Sequence, residues 1–140
     1  MNRIAKRAVT VAAALALGVV ACGPGKIAQC NKLIEKVNAA GTAIQKAGNA
    51  SSGNAAELAK SIDTTKGDVA GVELKDPKLK GFQGDYVKML EEVSGAAKAL
   101  QAAEDKKDQA AILAGSAKLK TAAAQETVVT TNINTYCGGA

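Results

Sequence analysis

Apolar residues recur at intervals of three and four along most of this chain, and that spacing predicts amphipathic helices. The first run follows Pro24-Gly25 and stops at segment 48–54, whose glycine, serine and asparagine residues predict a turn. One stripe of this helix collects Ile27, Cys30, Leu33, Ile34, Val37, Ala40, Ile44 and Ala47. We therefore expect a long first helix that buries one side.

The second helix is predicted to be shorter. Asn54 and Glu57 are three residues apart and resemble a capping pair at its start, while Leu58 and Ile62 share one of its faces. The pattern fades near Gly67, so segment 67–76 is predicted to be an irregular connection, with a short strand-like piece as the alternative.

A third helix begins at Asp76-Pro77, because a capping aspartate followed by proline is a strong start signal. Its apolar positions at helical spacing are Leu79, Phe82, Tyr86, Met89, Leu90, Val93, Ala97 and Leu100. The charged segment 103–108 contains neither glycine nor proline but concentrates polarity, and we expect a turn there.

The fourth helix is predicted to end at Gly138-Gly139. Its stripe consists of Ile112, Leu119, Ala123, Thr130 and Ile133, and four further residues are expected to broaden the same face, namely Leu113, Ala117, Ala124 and Val128. Four helices joined by short connections predict an all-α, up-down four-helix bundle with an irregular link between the second and third helices.

The helix count bears on the three cysteines of the chain. An even number of antiparallel helices returns the chain to its starting end, which places Cys30 and Cys137 close together on the apolar stripes of the first and last helices. Three long helices would separate the two cysteines by roughly 30 Å, beyond disulfide reach. We therefore predict a Cys30–Cys137 disulfide that closes the bundle. A Cys22–Cys30 bond and two unpaired, buried cysteines are the alternatives.

The N-terminal segment has the layout of a secretory signal. Arg3, Lys6 and Arg7 precede an apolar run over 8–20, which is shorter than the about 20 residues that a membrane-spanning helix needs. Export makes a disulfide chemically permissible. Most of the formal net charge of +5 belongs to these three basic residues.

The residues Val19-Val20-Ala21-Cys22 resemble the lipobox of bacterial lipoproteins, although Val19 stands where that family most often has leucine. The resemblance covers the first 22 residues and implies a cleaved signal peptide over 1–21 and an acylated Cys22. The apolar pattern that follows predicts a short tether over 22–26 and a helical domain over 27–140, which resembles no known family. In the Gram-negative members of that family, an aspartate directly after the cysteine commonly retains the protein at the inner membrane. Here that position is Gly23, so the resemblance implies the outer membrane, with the protein facing the periplasm. The alternative is an ordinary signal-peptidase site that leaves Cys22 as a free terminal thiol.

The composition excludes several classes of chemistry. The chain has no histidine and no C-x-x-C pair, so the usual acid-base, nucleophile-activating, metal-binding and redox motifs are missing. Lysines and acids are interspersed, which argues against a nucleic-acid interface. We expect neither enzyme activity nor a cofactor nor a metal site.

The expected role is therefore that of a lipid-anchored envelope protein with a structural or protein-interaction function, whose partners are the membrane, through its acyl chains, and envelope proteins. The alternative is a carrier that holds a small apolar ligand beside Phe82, Tyr86 and Met89. The anchored end is expected to gather Lys26, Lys32, Lys66, Lys75, Lys78 and Lys80 with Asp63, Asp68, Glu73 and Asp76, and the opposite end, around 51–52 and 104–108, to meet protein partners.

Overall fold

The part of the chain that the structure describes forms four α-helices, which follow one another in an up-down arrangement, as the apolar pattern predicts. The computed structural model describes residues 24–50 and 55–138, with no strand among them. The helices are α1 (Pro24–Ala50), α2 (Ala55–Ala70), α3 (Pro77–Asp105) and α4 (Gln109–Gly138). The predicted signal segment 1–21, Cys22, Asn54 and Gly139 lie outside the described residues. The all-α bundle is confirmed.

The α2–α3 connection is shorter than predicted, because α2 runs past Gly67 to Ala70 and only 71–76 lack regular structure. Gln83, near the start of α3, holds the end of α2 in place. Its Nε2 donates to the backbone oxygens of Val69, at 2.8 Å, and Val72, at 2.9 Å. Since α2 ends level with Gln83, the link must continue along α3 to reach the end of the bundle.

The start of α3 is capped as the sequence predicts. Asp76 adopts an extended backbone, and its Oδ1 accepts hydrogen bonds from the backbone nitrogens of Lys78, at 2.8 Å, and Leu79, at 3.0 Å. Pro77 occupies the first helical turn, where the missing N–H leaves no bond unmade. This cap accounts for the abrupt beginning of the helix.

The α3–α4 turn is formed without glycine. Lys107 adopts a left-handed conformation, with φ of 54°. The backbone nitrogens of Lys107 and Asp108 donate to the oxygens of Glu104 and Ala103, both at 2.9 Å, which closes the C-terminus of α3. Asp108 Oδ1 then accepts from Ala111 N at 3.1 Å and caps α4.

The core lies between all four helices and is built from the predicted stripes. Its largest fully buried side chains are Leu33 of α1, Ile62 and Val69 of α2, Leu79, Tyr86 and Leu90 of α3, and Ile133 of α4. α3 is the central helix, since it packs extensively against both α2 and α4, whereas α1 rests mainly on α2 and contacts α4 much less. The first and last helices, α1 and α4, are therefore in less extensive contact than any two consecutive helices of the bundle.

The prediction that four more residues would broaden the buried face of α4 is wrong. Leu113 and Val128 are 72% and 61% exposed, and Ala117 and Ala124 are exposed as well. At 100° per residue these four side chains lie on the side of α4 opposite Gly115, Ala122 and Ile133. In α1, Ile27 was also expected in the buried stripe and is 56% exposed. α4 thus has apolar residues on two opposite sides but buries only one.

Candidate functional site at the disulfide end

The Cys30–Cys137 disulfide marks one end of the bundle, and its prediction is confirmed. The two Cα atoms are 5.7 Å apart, and the bond joins the second turn of α1 to the last turn of α4 across 107 residues of sequence. Cys30 is buried and Cys137 is half-buried. We call this end, with the 71–76 link and the first turns of α3, the disulfide end.

Two aromatic rings cover the disulfide end. Tyr136, next to Cys137, packs edge-on against Phe82 of α3, with 5.6 Å between the ring centroids and 64° between the ring planes. The Tyr136 hydroxyl donates to Asp76 Oδ2 at 3.0 Å. Because Asp76 also caps α3, this single carboxylate joins the end of α4 to the start of α3.

A glutamine connects the first helix to the same place. Gln29 Oε1 accepts hydrogen bonds from the backbone nitrogens of Asp76, at 2.9 Å, and Lys75. The 71–76 link is therefore held by α1 as well as by α3 and α4. Hydrogen bonds from Leu79 N and from the Tyr136 hydroxyl lower the pKa of Asp76, and the charge of Lys26 acts in the same direction. The carboxylate is thus stabilised in its ionised form.

Two lysines lie over the aromatic pair. Lys26 Nζ is 3.8 Å from the ring centroid of Tyr136, and Lys78 Nζ is 5.6 Å from that of Phe82, both within cation–π range. An open pocket of about 610 Å³ lies between the helix ends, lined by Lys26, Lys78, Phe82, Asn132, Thr135 and Tyr136. Its walls combine two cations, two rings, an amide and a hydroxyl.

The three residues predicted to hold an apolar ligand do not share this pocket. Phe82 lines it, whereas Tyr86 and Met89 are buried further along α3 in the core. The Tyr86 hydroxyl lies 3.3 Å from Val37 O and 3.1 Å from Glu126 Oε1. Burial, followed by the neighbouring Glu126, raises the pKa of Tyr86. Tyr86 therefore joins α1, α3 and α4 inside the bundle.

A glycine of α1 faces the carboxylate that lies beside this tyrosine. A Cβ at Gly41 would lie 2.9 Å from Glu126 Oε1. The absence of a side chain at Gly41 thus leaves room for the Glu126 carboxylate to turn toward Tyr86.

Sequence reasoning missed the polar residues that hold the helices together, above all Gln29, Gln83 and Glu126. Each is next to, or one turn from, an apolar stripe, so its position suggests a surface residue. Only the partners brought close by the fold, such as the backbone of 69–76, reveal their roles. The sequence contains no signal that distinguishes them from other exposed amides and acids.

The lysine cluster is smaller than predicted. Lys66 lies well along the bundle and forms an ion pair with Glu91 at 3.6 Å, while Asp63 accepts from Ser94 Oγ at 2.8 Å and pairs with Lys98 at 2.7 Å. The hydrogen bond from Lys98, followed by that from Ser94, lowers the pKa of Asp63. The sequence predicts Lys66 and Asp63 at the anchored end. Both instead contact the middle of α3, because α2 ends before it reaches that end of the bundle.

The described part of the chain contains neither a candidate metal site nor a candidate membrane-spanning helix. Within 24–50 and 55–138, no group of three or more histidine, cysteine, aspartate or glutamate side chains is arranged to hold a metal ion. None of the described helices is both long and apolar enough to cross a bilayer. The predicted lipidation residue Cys22 and the rest of the lipobox-like segment lie outside the described residues.

Comparison with models of protein families, with curated proteins and with solved structures finds no match to this chain. The disulfide end and its aromatic–lysine pocket are accordingly interpreted from their own geometry.

Proposed function

We propose that this chain is a lipid-anchored protein of the bacterial envelope with a non-catalytic structural or protein-interaction role. The lipobox-like segment ending at Cys22 supports the anchor. α1 begins at Pro24, two residues later, on the disulfide end of the bundle. Two extended residues span about 7 Å, so acyl chains on Cys22 would hold this end against the bilayer.

The observation that carries the interaction role is the outer side of α4. Leu113, Ala117, Ala124 and Val128 are exposed within 60° of one another around the helix, opposite the buried side. A helix that is apolar on two sides is ordinarily buried on both. In this bundle the second side of α4 is exposed and therefore available to a partner. The carrier alternative has less support, since Tyr86 and Met89 are packed in the core.

We expect Cys22→Ser to abolish fatty-acid labelling of the protein and to release it from membranes, because serine provides no thiol for acylation. Radiolabelled or alkyne-tagged fatty acid in growing cells, followed by fractionation, measures both effects. Cys30→Ser is the matched control and should retain the label, since it removes a disulfide cysteine instead. Continued labelling of Cys22→Ser would show that the anchor is not at this residue.

A photo-reactive residue in place of Val128 should crosslink the protein to a partner in intact cells, because this position carries one of the two large apolar side chains of the exposed side and is 61% exposed. The same residue in place of Lys88, an exposed polar position on α3, is the control. We expect a discrete product of higher mass only from position 128. Identical patterns from both positions, or no product from either, would contradict an interaction through α4.

A further inference from the structure

We propose that the pocket at the disulfide end binds the phosphate-bearing headgroup of an anionic membrane lipid. This inference rests on the proposed anchor for its orientation, but the pocket itself is defined by described residues. It gives the bundle a second contact with the bilayer, made by side chains and independent of the acyl chains.

The first reason is the arrangement of positive charge. Lys26 comes from the start of α1 and Lys78 from the start of α3, yet both ammonium groups lie against one aromatic pair, Tyr136 and Phe82, whose centroids are 5.6 Å apart. The rings limit where the two flexible side chains place their charges. Lys26 and Lys78 both line the pocket, so a phosphate group that enters it meets two positive charges.

The second reason is the state of the neighbouring carboxylate. Asp76 is close enough to Lys26 for that charge to lower its pKa, but its oxygens accept hydrogen bonds from Lys78 N, Leu79 N and the Tyr136 hydroxyl. The described ion pairs are Lys66–Glu91 and Asp63–Lys98, and neither involves the pocket lysines. The ammonium groups of Lys26 and Lys78 therefore keep hydrogen-bond donors for an external anion, and Asn132 and Thr135 add an amide and a hydroxyl.

The third reason selects a lipid over a soluble anion. The pocket is on the end from which the chain continues back to Cys22, so an anchored bundle presents it to the headgroup layer. Ile27, beside Lys26, is 56% exposed at the same end. An exposed branched apolar residue next to lysines suits the boundary between lipid headgroups and acyl chains. If the pocket bound a soluble phosphate instead, Ile27 would remain in water.

The test is the partition of the acylated full chain between two kinds of vesicle, phosphatidylcholine alone and phosphatidylcholine with phosphatidylglycerol. The wild-type protein should prefer the anionic vesicles, and Lys26→Gln with Lys78→Gln should lower this preference about thirtyfold, since each lysine near anionic lipid contributes about 1 kcal/mol. Lys106→Gln with Lys107→Gln removes the same charge at the opposite end and should leave the preference nearly unchanged. An equal loss in both double variants, or no preference in the wild type, overturns the proposal.

A second measurement separates lipid from free phosphate. Amine-reactive labelling of Lys26 and Lys78, relative to Lys106 and Lys107, should slow about fivefold on anionic vesicles and not on neutral ones. Equal slowing by inorganic phosphate added to neutral vesicles would identify a free-phosphate site and overturn the lipid assignment. Failure of the proposed anchor would give a different result. The protein would then not associate with neutral vesicles, but a preference for anionic vesicles could still be measured.

Discussion

Replacing Cys30 and Cys137 together with alanine is expected to lower the melting temperature by about 20 °C. The disulfide closes a loop of 107 residues, and the chain-entropy estimate for such a loop is about 4.7 kcal/mol, with each kcal/mol shifting the midpoint by about 4 °C in a domain of this size. The bond also joins α1 to α4, two helices that otherwise contact each other little. Its loss removes the main connection between the first and last helices.

Thermal unfolding followed by circular dichroism measures this effect, and a reducing agent provides the internal control. Reductant should lower the midpoint of the wild-type protein by a similar amount and should not change that of the double variant. The helix content at low temperature should be almost unchanged, since the core stripes do not depend on the bond. A midpoint that is the same with and without reductant would contradict a stabilising role for the disulfide.

Leu90→Ala is expected to destabilise the bundle by about 2–5 kcal/mol, because it empties a fully buried position of the central helix α3. Leu113→Ala makes the same chemical change at a position of α4 that is 72% exposed. It should change the free energy of unfolding by less than about 0.5 kcal/mol. Denaturant unfolding of both variants under oxidising conditions provides the comparison.

The comparison of these leucines also tests which side of α4 faces the core. Both residues are apolar and both occur in helical patterns, so sequence reasoning placed both on buried faces. If Leu113→Ala lowers the free energy of unfolding as much as Leu90→Ala does, the exposed side of α4 must be covered in solution. The isolated bundle would then not be the folded unit. A small change in the free energy of unfolding of Leu113→Ala would show that this side of α4 is exposed and available to a partner.

Helix number, order and approximate ends could be predicted from the sequence, for reasons that are local. Apolar spacing of three and four marks each helix, and Asp76-Pro77 marks the start of α3 through a cap that needs only neighbouring atoms. The disulfide was also predictable, because with four antiparallel helices only one end can hold both Cys30 and Cys137. The signals for the ends of α2 were weaker, and the helix continues through Gly67 to Ala70.

The details of the candidate site depended on contacts between distant residues. Segment 71–76 brings Asp76 to Gln29 and Tyr136, which are 47 and 60 residues away in sequence, and no pattern within a helix encodes that meeting. Likewise, Lys26 and Lys78 become one cationic pocket because two helix starts and one helix end converge on a single aromatic pair.

The amino-acid sequence was sufficient to establish four helices and the pairing of two cysteines, since periodicity, caps and the parity of antiparallel helices require no knowledge of neighbours. Which side of α4 is buried was decided by packing, because that helix is apolar on two sides and α3 covers just one. The same holds for the lysine–aromatic pocket, whose charges and rings acquire a common position through the folding of separate helices against one another.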